Sequence, residues 1–342
     1  MAAIQHYYQT PGHIVAAGIA LPILDIAVVA LRFASRLKSR QPLGPDDWLL
    51  IPATILVIGV GACLVIGVLM NGFGYREVPT SKENPSAEAI AQMEASVRLE
   101  WSINVMLPVA LGCTKASFIF FYRRIFSIKP RANRLLWAMI VFIACWTVSF
   151  LLGTLLCCIL MQMKIWKPVT QVAQCSVFLK VLMAFYITGF VTDLVVIAIP
   201  IPLVMSLKLS AGQKLVACGS FLLGTVTVAC ALARVIVSID FFKHSSNPEN
   251  DNILNSTTYV YWGMVEASMG VFAACLPTLQ IFLRSWISWV GWDTVSNRVR
   301  SLWSSDRSRG SSSDSSLEVK SVSSFNSGSH EGVENLHKNS YP

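Results

Sequence analysis

Apolar residues form seven long runs along this chain, separated by short polar segments. A helix needs about 17–25 apolar residues to cross a bilayer, and each run meets that length. Because the lipid interior offers the backbone no hydrogen-bond partner, a run that crosses it must pair its N–H and C=O groups internally, which predicts helices. The runs cover residues 14–31, 47–70, 101–122, 136–160, 181–206, 214–239 and 257–283.

The composition indicates the same class of protein. The chain has 342 residues, of which 54% are hydrophobic and 13% are charged, whereas a soluble domain has about 25% charged residues. The net charge is +8, but the basic residues lie in short segments between the runs, as in membrane proteins and not as in a nucleic-acid groove. The sequence therefore predicts an all-α, polytopic membrane protein, a seven-transmembrane-helix bundle in the lipid bilayer, with no nucleic-acid partner.

The Lys and Arg residues outside the runs are distributed unevenly between the two sides of the predicted membrane. The segments after the first, third and fifth runs and the C-terminal tail together hold 18, and the opposite side holds 7. Lys and Arg accumulate on the cytoplasmic side of membrane proteins. The N-terminus is therefore predicted to lie outside and the C-terminus in the cytoplasm.

This pattern divides the chain into four segments. Residues 1–13 are predicted to form a short extracellular N-terminus, and residues 14–283 the seven-helix domain. Residues 284–303 begin with Arg284, which Trp286, Trp289 and Trp292 follow closely, and we expect this segment either to lie on the inner leaflet or to extend the seventh helix. Residues 304–342 are rich in Ser and poor in aromatic residues, which predicts a disordered cytoplasmic tail.

Five charged side chains lie within the runs and away from their ends, where a charge is unfavourable unless it faces protein or water. At about 1.5 Å per residue from the outer end of each run, Lys115 and Asp193 fall near mid-membrane and are predicted to pair, with Asp25 as the alternative partner of the lysine. Arg234 and Glu266 fall in a shallower layer and are predicted to pair there. Asp25 then remains, either protonated or bound to a hydroxyl or backbone group. Each pair is interpreted either as a ligand or ion site or as a staple that holds the bundle.

Three further residues are candidates for modification on the predicted outer side. Cys158 ends the fourth run and Cys175 follows in the next loop, so a disulfide between them and two free thiols are both open interpretations. Asn255 begins an Asn-Ser-Thr sequence next to the seventh run, which is a candidate glycosylation site.

The sequence contains no pattern that indicates catalysis, a metal site or a cofactor. A retinal Schiff base needs a lysine that faces a buried pocket. Lys115 is the only lysine deep in a run, and the seventh run has none, so no retinal is expected. All five histidines lie in loops, tails or helix ends. Asp46 and Asp47 follow Gly44-Pro45 and are expected to cap the second helix.

Four groups of residues are informative in their order and spacing. They are Arg32-Phe33-Ala34-Ser35-Arg36 with Leu43-Gly44-Pro45-Asp46-Asp47-Trp48, Lys115-Ala116-Ser117-Phe118 with Tyr122-Arg123-Arg124-Ile125-Phe126, Thr192-Asp193 with Ile199-Pro200-Ile201-Pro202 and Lys214, and Glu266 with Cys275-Leu276-Pro277-Thr278-Leu279.

Together these groups resemble the fungal rhodopsin-like domain family over about residues 14–284. The resemblance implies a seven-helix, receptor-like protein of the plasma membrane. Some relatives are described as G-protein-coupled-receptor-like and linked to surface sensing, and others are encoded beside secondary-metabolite genes. By position, Lys115, Asp193 and Glu266 would be recurrent intramembrane polar residues of the family.

The chain departs from the receptor-like relatives in one respect and from opsin-class receptors in another. Its segment before the first run carries no Cys-rich module, and it lacks Asp-Arg-Tyr after the third run and Asn-Pro-x-x-Tyr in the seventh.

The expected function is a receptor that senses a small apolar ligand or surface cue, with Arg123-Arg124 signalling to a cytoplasmic partner. The alternative is a membrane enzyme or carrier of a secondary-metabolite pathway.

Overall fold

The computed structural model describes an entirely helical arrangement in residues 9–76, 86–126, 130–165, 176–199, 224–239 and 252–289. Eight helices lie within these ranges. They are α1 (Pro11–Lys38), α2 (Pro45–Trp48), α3 (Leu50–Leu69), α4 (Ala87–Phe126), α5 (Pro130–Ile165), α6 (Ser176–Ala198), α7 (Gly224–Ile239) and α8 (Asn252–Trp289).

Each of the seven predicted runs coincides with an apolar helix. Six are long and apolar enough to span a bilayer, α2 and α3 together forming one of them, and the described part of the sixth run is the shorter helix α7. The predicted all-α membrane fold is therefore confirmed, and the orientation of its termini stays a prediction.

Several helices extend beyond the apolar runs, because a helix does not end where it leaves the lipid. The clearest case is α4, which begins at Ala87 and not at residue 101. The Ser86 hydroxyl accepts a hydrogen bond from the backbone N–H of Ala89 at 3.2 Å, a capping contact that lets the helix start in a polar segment.

The chain divides into two compact units, Met1–Ser285 and Trp286–Pro342. Of the second unit the structure describes only the last residues of α8, which continues to Trp289. The predicted interfacial segment 284–303 thus begins inside α8. Its remainder and the predicted tail, 304–342, lie outside the described residues.

Close backbone contact joins α1 to α3. A Cβ atom on Gly61 would lie 2.5 Å from the carbonyl oxygen of Gly18 and 2.9 Å from the ring of Pro22. Small residues let membrane helices approach to this distance. Helix α4 then packs against α2, α3, α5 and α6, so it occupies the centre of the bundle and carries side chains to most of the other helices.

Gly61→Ala tests this crossing. The added methyl group has no room against the Gly18 carbonyl, so we expect the free energy of unfolding to fall by about 1–3 kcal/mol. The matched control is Gly153→Ala in α5, where a new Cβ would meet only Val181 at an ordinary 3.6 Å and helix propensity favours alanine. The measurement is thermal unfolding in lipid nanodiscs. Equal unfolding temperatures for the two variants would contradict the tight crossing.

Candidate functional site

Lys115 and Asp193 form a buried ion pair between α4 and α6. The Lys115 Nζ atom lies 3.2 Å from Asp193 Oδ1, and it donates hydrogen bonds to the Gly189 carbonyl at 3.0 Å and the Thr192 hydroxyl at 2.7 Å. It also lies 4.9 Å from the ring centroid of Trp146. The predicted pairing with Asp193 is therefore confirmed, and the ammonium group is surrounded by protein as its depth requires.

Arg234 and Glu266 form a second buried pair, between α7 and α8. The Arg234 Nη2 atom lies 2.9 Å from Glu266 Oε2 and donates a hydrogen bond to Oε1 at 3.2 Å. The guanidinium carbon lies 4.8 Å from the ring centroid of Tyr186 and 5.4 Å from that of Phe185. This predicted pairing is also confirmed, with cation–π contacts that the sequence did not indicate.

The two ion pairs are neighbours. Gly189 accepts a hydrogen bond from Lys115, and a Cβ on the same glycine would lie 3.6 Å from Arg234 Nη2. Glu266 interacts electrostatically with Asp193 and Lys115 as well as with its own partner. We call Lys115, Asp193, Arg234 and Glu266 the charge quartet, which joins α4, α6, α7 and α8.

The two pairs are neighbours but are offset along the helices, in the order that the sequence predicts. A Cβ at Gly263 would contact Leu107 and Arg234, whereas a Cβ at Gly270 would contact Thr114, the residue before Lys115. Arg234 thus lies level with an earlier part of α4 than Lys115 does. The depth of each pair in the membrane stays a prediction.

Several polar atoms of the charge quartet are buried without a hydrogen-bond partner among the described residues. They include Nε and Nη1 of Arg234 and Oδ2 of Asp193. Buried polar atoms are bonded in the great majority of cases, and leaving one without a partner costs about 1–3 kcal/mol. The quartet is thus neutral in total but incomplete in its hydrogen bonding.

Five aromatic rings lie beside the quartet, in contact from one to the next. The ring centroids of consecutive members are 5.3–5.8 Å apart, within the range of favourable aromatic pairs. We call this group the aromatic row, and it comprises Phe150 and Trp146 of α5, Phe185 and Tyr186 of α6, and Tyr259 of α8.

Glu100 of α4 completes the polar surroundings, and the sequence analysis missed it. It lies one residue before the predicted third run, so it was assigned to a loop. In the structure its carboxylate contacts the Tyr259 hydroxyl, and nearby the Tyr186 hydroxyl donates to Asn104 Oδ1 at 3.3 Å. The helical spacing of Glu100, Asn104 and Lys115 on one face of α4 was the available signal.

The sequence analysis also missed a second buried cluster, at the C-terminal end of α1. Arg32 lies 2.6 Å from Asp46 and 2.7 Å from Asp47, and Arg36 lies 2.7 Å and 3.3 Å from the same two acids. All four side chains are buried. We call them the arginine–aspartate cluster. The sequence analysis had counted both arginines as loop charges, because the helical part of α1 beyond its apolar run was not recognised.

The acidic half of this cluster was predicted to cap the second helix. Asp47 does so, since its carboxylate accepts a hydrogen bond from the Gly44 N–H at 3.0 Å. Capping is nevertheless only part of its role, because the same carboxylate also pairs with Arg32 and Arg36.

The arginine–aspartate cluster contacts both α4 and α8. Arg32 Nη1 donates a hydrogen bond to the Ala274 carbonyl of α8 at 2.5 Å, and Ser117 of α4 donates one to the Asp46 carbonyl at 2.7 Å. Lys115 and Ser117 are two residues apart on α4. Glu266 and Ala274 are about 12 Å apart along α8. Two helices therefore each contact both charge clusters.

Asp25 belongs to neither cluster. It is fully buried on α1, and the Ser268 hydroxyl of α8 lies beside its carboxylate. Neither carboxylate oxygen makes a hydrogen bond of regular geometry with a described residue. The structure thus places a hydroxyl next to Asp25, as one of the two predicted alternatives requires, and the protonation of the acid stays a prediction.

The remaining predicted residues have different outcomes. Asn255 lies in the first turns of α8 and is buried, so it does not occupy the exposed loop that a glycosylation site needs. The side chain of Cys158 and all of Cys175 lie outside the described residues. Arg123, at the end of α4, packs its guanidinium carbon 4.3 Å from the ring centroid of Trp137, whereas Arg124 is exposed.

Arg32→Lys tests the arginine–aspartate cluster. Arg32 donates to three acceptors from three nitrogens, and a lysine keeps the charge but loses the planar fork. We expect unfolding to become easier by about 1–3 kcal/mol for each acceptor left unpaired, measured as thermal unfolding in nanodiscs. Arg40→Lys, at an exposed position, is the control. An Arg32→Lys variant as stable as this control would contradict the role assigned to the cluster.

Comparison with known proteins supports a family assignment. The fungal rhodopsin domain model matches residues 31–285, which include both charge clusters. No solved structure matches the chain significantly.

The relatives are distant and carry different kinds of name. The chain is 24% identical to "Receptor GIN3" of Arthrobotrys oligospora over 75% of its own length and 59% of that protein, so it spans less than two thirds of this relative. It is 24% identical to "Polyenoic acids biosynthesis gene cluster protein Ba17b" of Metarhizium anisopliae, over 74% of this chain and 68% of that one.

A third relative, from an unnamed fungal species, is "Phomoidride biosynthesis cluster protein H", 23% identical over 78% of this chain and 86% of that protein. These identities are too low to transfer a ligand or an activity. The match to the family model covers most of the sequence and both charge clusters, and on that basis the chain is a multi-pass integral membrane protein that belongs to the fungal rhodopsin domain family.

Proposed function

We propose that this protein is a receptor of the plasma membrane that senses a small, largely apolar ligand without retinal. The ligand would bind between α4, α6, α7 and α8, against the aromatic row. The observation that carries this proposal is in the charge quartet: the buried Arg234 guanidinium packs against Tyr186 and Phe185 of that row and has two nitrogens without a hydrogen-bond partner among the described residues.

The aromatic row supports an apolar ligand. Its rings supply broad apolar surface together with the hydroxyl groups of Tyr186 and Tyr259, and pockets for small molecules are mostly lined in this way, with a few polar groups that fix orientation. A molecule that dissolves in the bilayer can approach between helices, and it needs no charged group to reach this level.

The quartet supports a change of packing on binding. It lies where four helices meet, so a ligand that takes a hydrogen bond from one member favours one arrangement of those helices over another. A ligand can shift such an equilibrium only through its different affinity for the two arrangements. The quartet would provide that difference, because the ligand would take hydrogen bonds from donors that no described residue accepts.

Helices α4 and α8 offer the route to the cytoplasmic side. Each carries one quartet residue and one contact to the arginine–aspartate cluster, through Ser117 on α4 and Ala274 on α8. A shift of either helix at the quartet would therefore strain that cluster. Arg123 and Arg124 end α4 and would expose the change to a cytoplasmic signalling partner.

A second candidate function is a membrane enzyme or carrier in a secondary-metabolite pathway. The names of two relatives, which refer to biosynthesis clusters, favour it, whereas the name of a third refers to a receptor. The quartet side chains are between 0% and 10% exposed. A site that releases a product at every turnover would need wider access, so the geometry favours sensing.

Deletion of the gene distinguishes the two candidates. We expect the deletion strain to change the transcript levels of many genes without accumulating any one pathway intermediate, because a receptor acts through its signalling partner. Transcript and metabolite profiles of deletion and parent strains provide the measurement. Accumulation of a single intermediate, with unchanged transcription, would instead show a pathway enzyme or carrier.

Complementation then links the phenotype to the quartet. We expect Glu94→Gln, which alters an exposed pair with Arg98, to restore the parent profile, and Glu266→Gln to fail, because it removes one charge from the quartet. A fluorescent fusion reports whether each variant reaches the membrane. A Glu266→Gln variant that reaches it normally and restores the profile would exclude the quartet from sensing.

A further inference from the structure

Arg234 presents two N–H groups that no described residue accepts. Nη2 donates a hydrogen bond to Glu266. Nε and Nη1 have no hydrogen-bond partner among the described residues, although the side chain is fully buried. An arginine at this depth requires acceptors, since it remains charged and its donors cannot reach bulk water. The two free donors therefore indicate that something outside the described residues takes a hydrogen bond here.

The described residues around the guanidinium group supply no acceptor for these two donors. Two nearby positions on α6 and α8 are glycines, and a Cβ would lie 3.6 Å from Nη2 at Gly189 and 3.3 Å from Nη1 at Gly263. Neither position contributes a side-chain acceptor. No backbone carbonyl of a described residue accepts a hydrogen bond from Nε or Nη1 either. The face of Tyr186, 4.8 Å away, provides apolar surface next to the same nitrogens.

Charge balance restricts the chemistry of the ligand. The charge quartet contains two cations and two anions, so its net charge is zero. An anionic ligand would add a charge with no partner in the membrane interior, which is strongly unfavourable. An uncharged acceptor satisfies the free N–H groups and leaves the balance unchanged.

We propose that the ligand carries an uncharged carbonyl group, as a ketone, ester or lactone, which accepts a hydrogen bond from Arg234. Its apolar body lies against Tyr186 and Phe185 of the aromatic row. This inference rests on the proposed function, because it assigns the chemical class of the ligand that the receptor senses.

Two probes of nearly equal shape separate the carbonyl contribution from apolar binding. The full chain in phosphatidylcholine nanodiscs is titrated with 4-fluoroacetophenone and with 4-fluoroethylbenzene, and binding is followed by ¹⁹F NMR after correction for partition into empty nanodiscs. We expect the ketone to bind about tenfold more tightly, as one hydrogen bond to a charged donor implies. We expect 4-fluorobenzoate to show no specific binding.

Arg234→Lys identifies the donor. Lysine preserves the charge that Glu266 requires but lacks Nε and Nη1 of the guanidinium group, so the preference for the ketone is expected to disappear while the affinity for 4-fluoroethylbenzene is retained. Arg98→Lys, in an exposed pair, is the matched control and should keep the preference. If Arg234→Lys does not fold, Gly263→Ala replaces it, since its methyl group would lie beside Nη1 and hinder the carbonyl.

Each result has a distinct meaning. Equal binding of ketone and hydrocarbon overturns the carbonyl assignment and leaves the apolar site intact, as does a ketone preference that survives in Arg234→Lys. Tighter binding of the benzoate overturns the uncharged class. Specific binding of none of the three probes overturns both the inference and the proposed site, and water as the only partner of Arg234 then explains the free donors.

Discussion

The structure depends on the requirement that a charge inside a bilayer must be neutralised by protein. Lys115, Asp193, Arg234 and Glu266 lie on four different helices, and each would be unfavourable on an isolated helix in lipid. Removing one member would leave its partner as an uncompensated buried charge, which typically destabilises a protein by about 3–5 kcal/mol. The quartet therefore specifies which helices are neighbours and at what level they meet. Hydrophobic packing alone would specify this poorly, since lipid is as apolar as the side chains.

The arginine–aspartate cluster meets the same requirement at the C-terminal end of α1, where buried arginines are neutralised by aspartates. It is more fully bonded than the quartet, because Arg32 reaches two carboxylates and the Ala274 carbonyl. The two clusters thus differ in kind. One is a nearly saturated network that joins α1, α2, α4 and α8, and the other has donors and acceptors that no described residue satisfies. A binding site is expected in the second, because a ligand gains most where hydrogen bonds remain to be made.

Helices α4 and α8 connect the two clusters directly, over short lengths of helix. On α4 the quartet lysine and the serine that reaches Asp46 are two residues apart, and on α8 Glu266 and Ala274 are separated by about two turns. A rigid helix transmits displacement over such a distance without any chain of intermediate contacts. The arrangement gives the proposed receptor a physical means of coupling a ligand at the quartet to the arginine–aspartate cluster.

The sequence by itself determined that the chain crosses a membrane as apolar helices. It also indicated the partners within the quartet, because the position of each charge along its run matched Lys115 with Asp193 and Arg234 with Glu266. It could not show that the two pairs are neighbours, since that depends on how α4, α6, α7 and α8 pack against each other. It also could not identify Arg32 and Arg36 as buried or Glu100 as partly buried, because each lies just beyond an apolar run, where hydropathy no longer distinguishes a helix from a loop. Only the tertiary structure decided these points, because the burial of a side chain at a helix end depends on which neighbouring helix covers it.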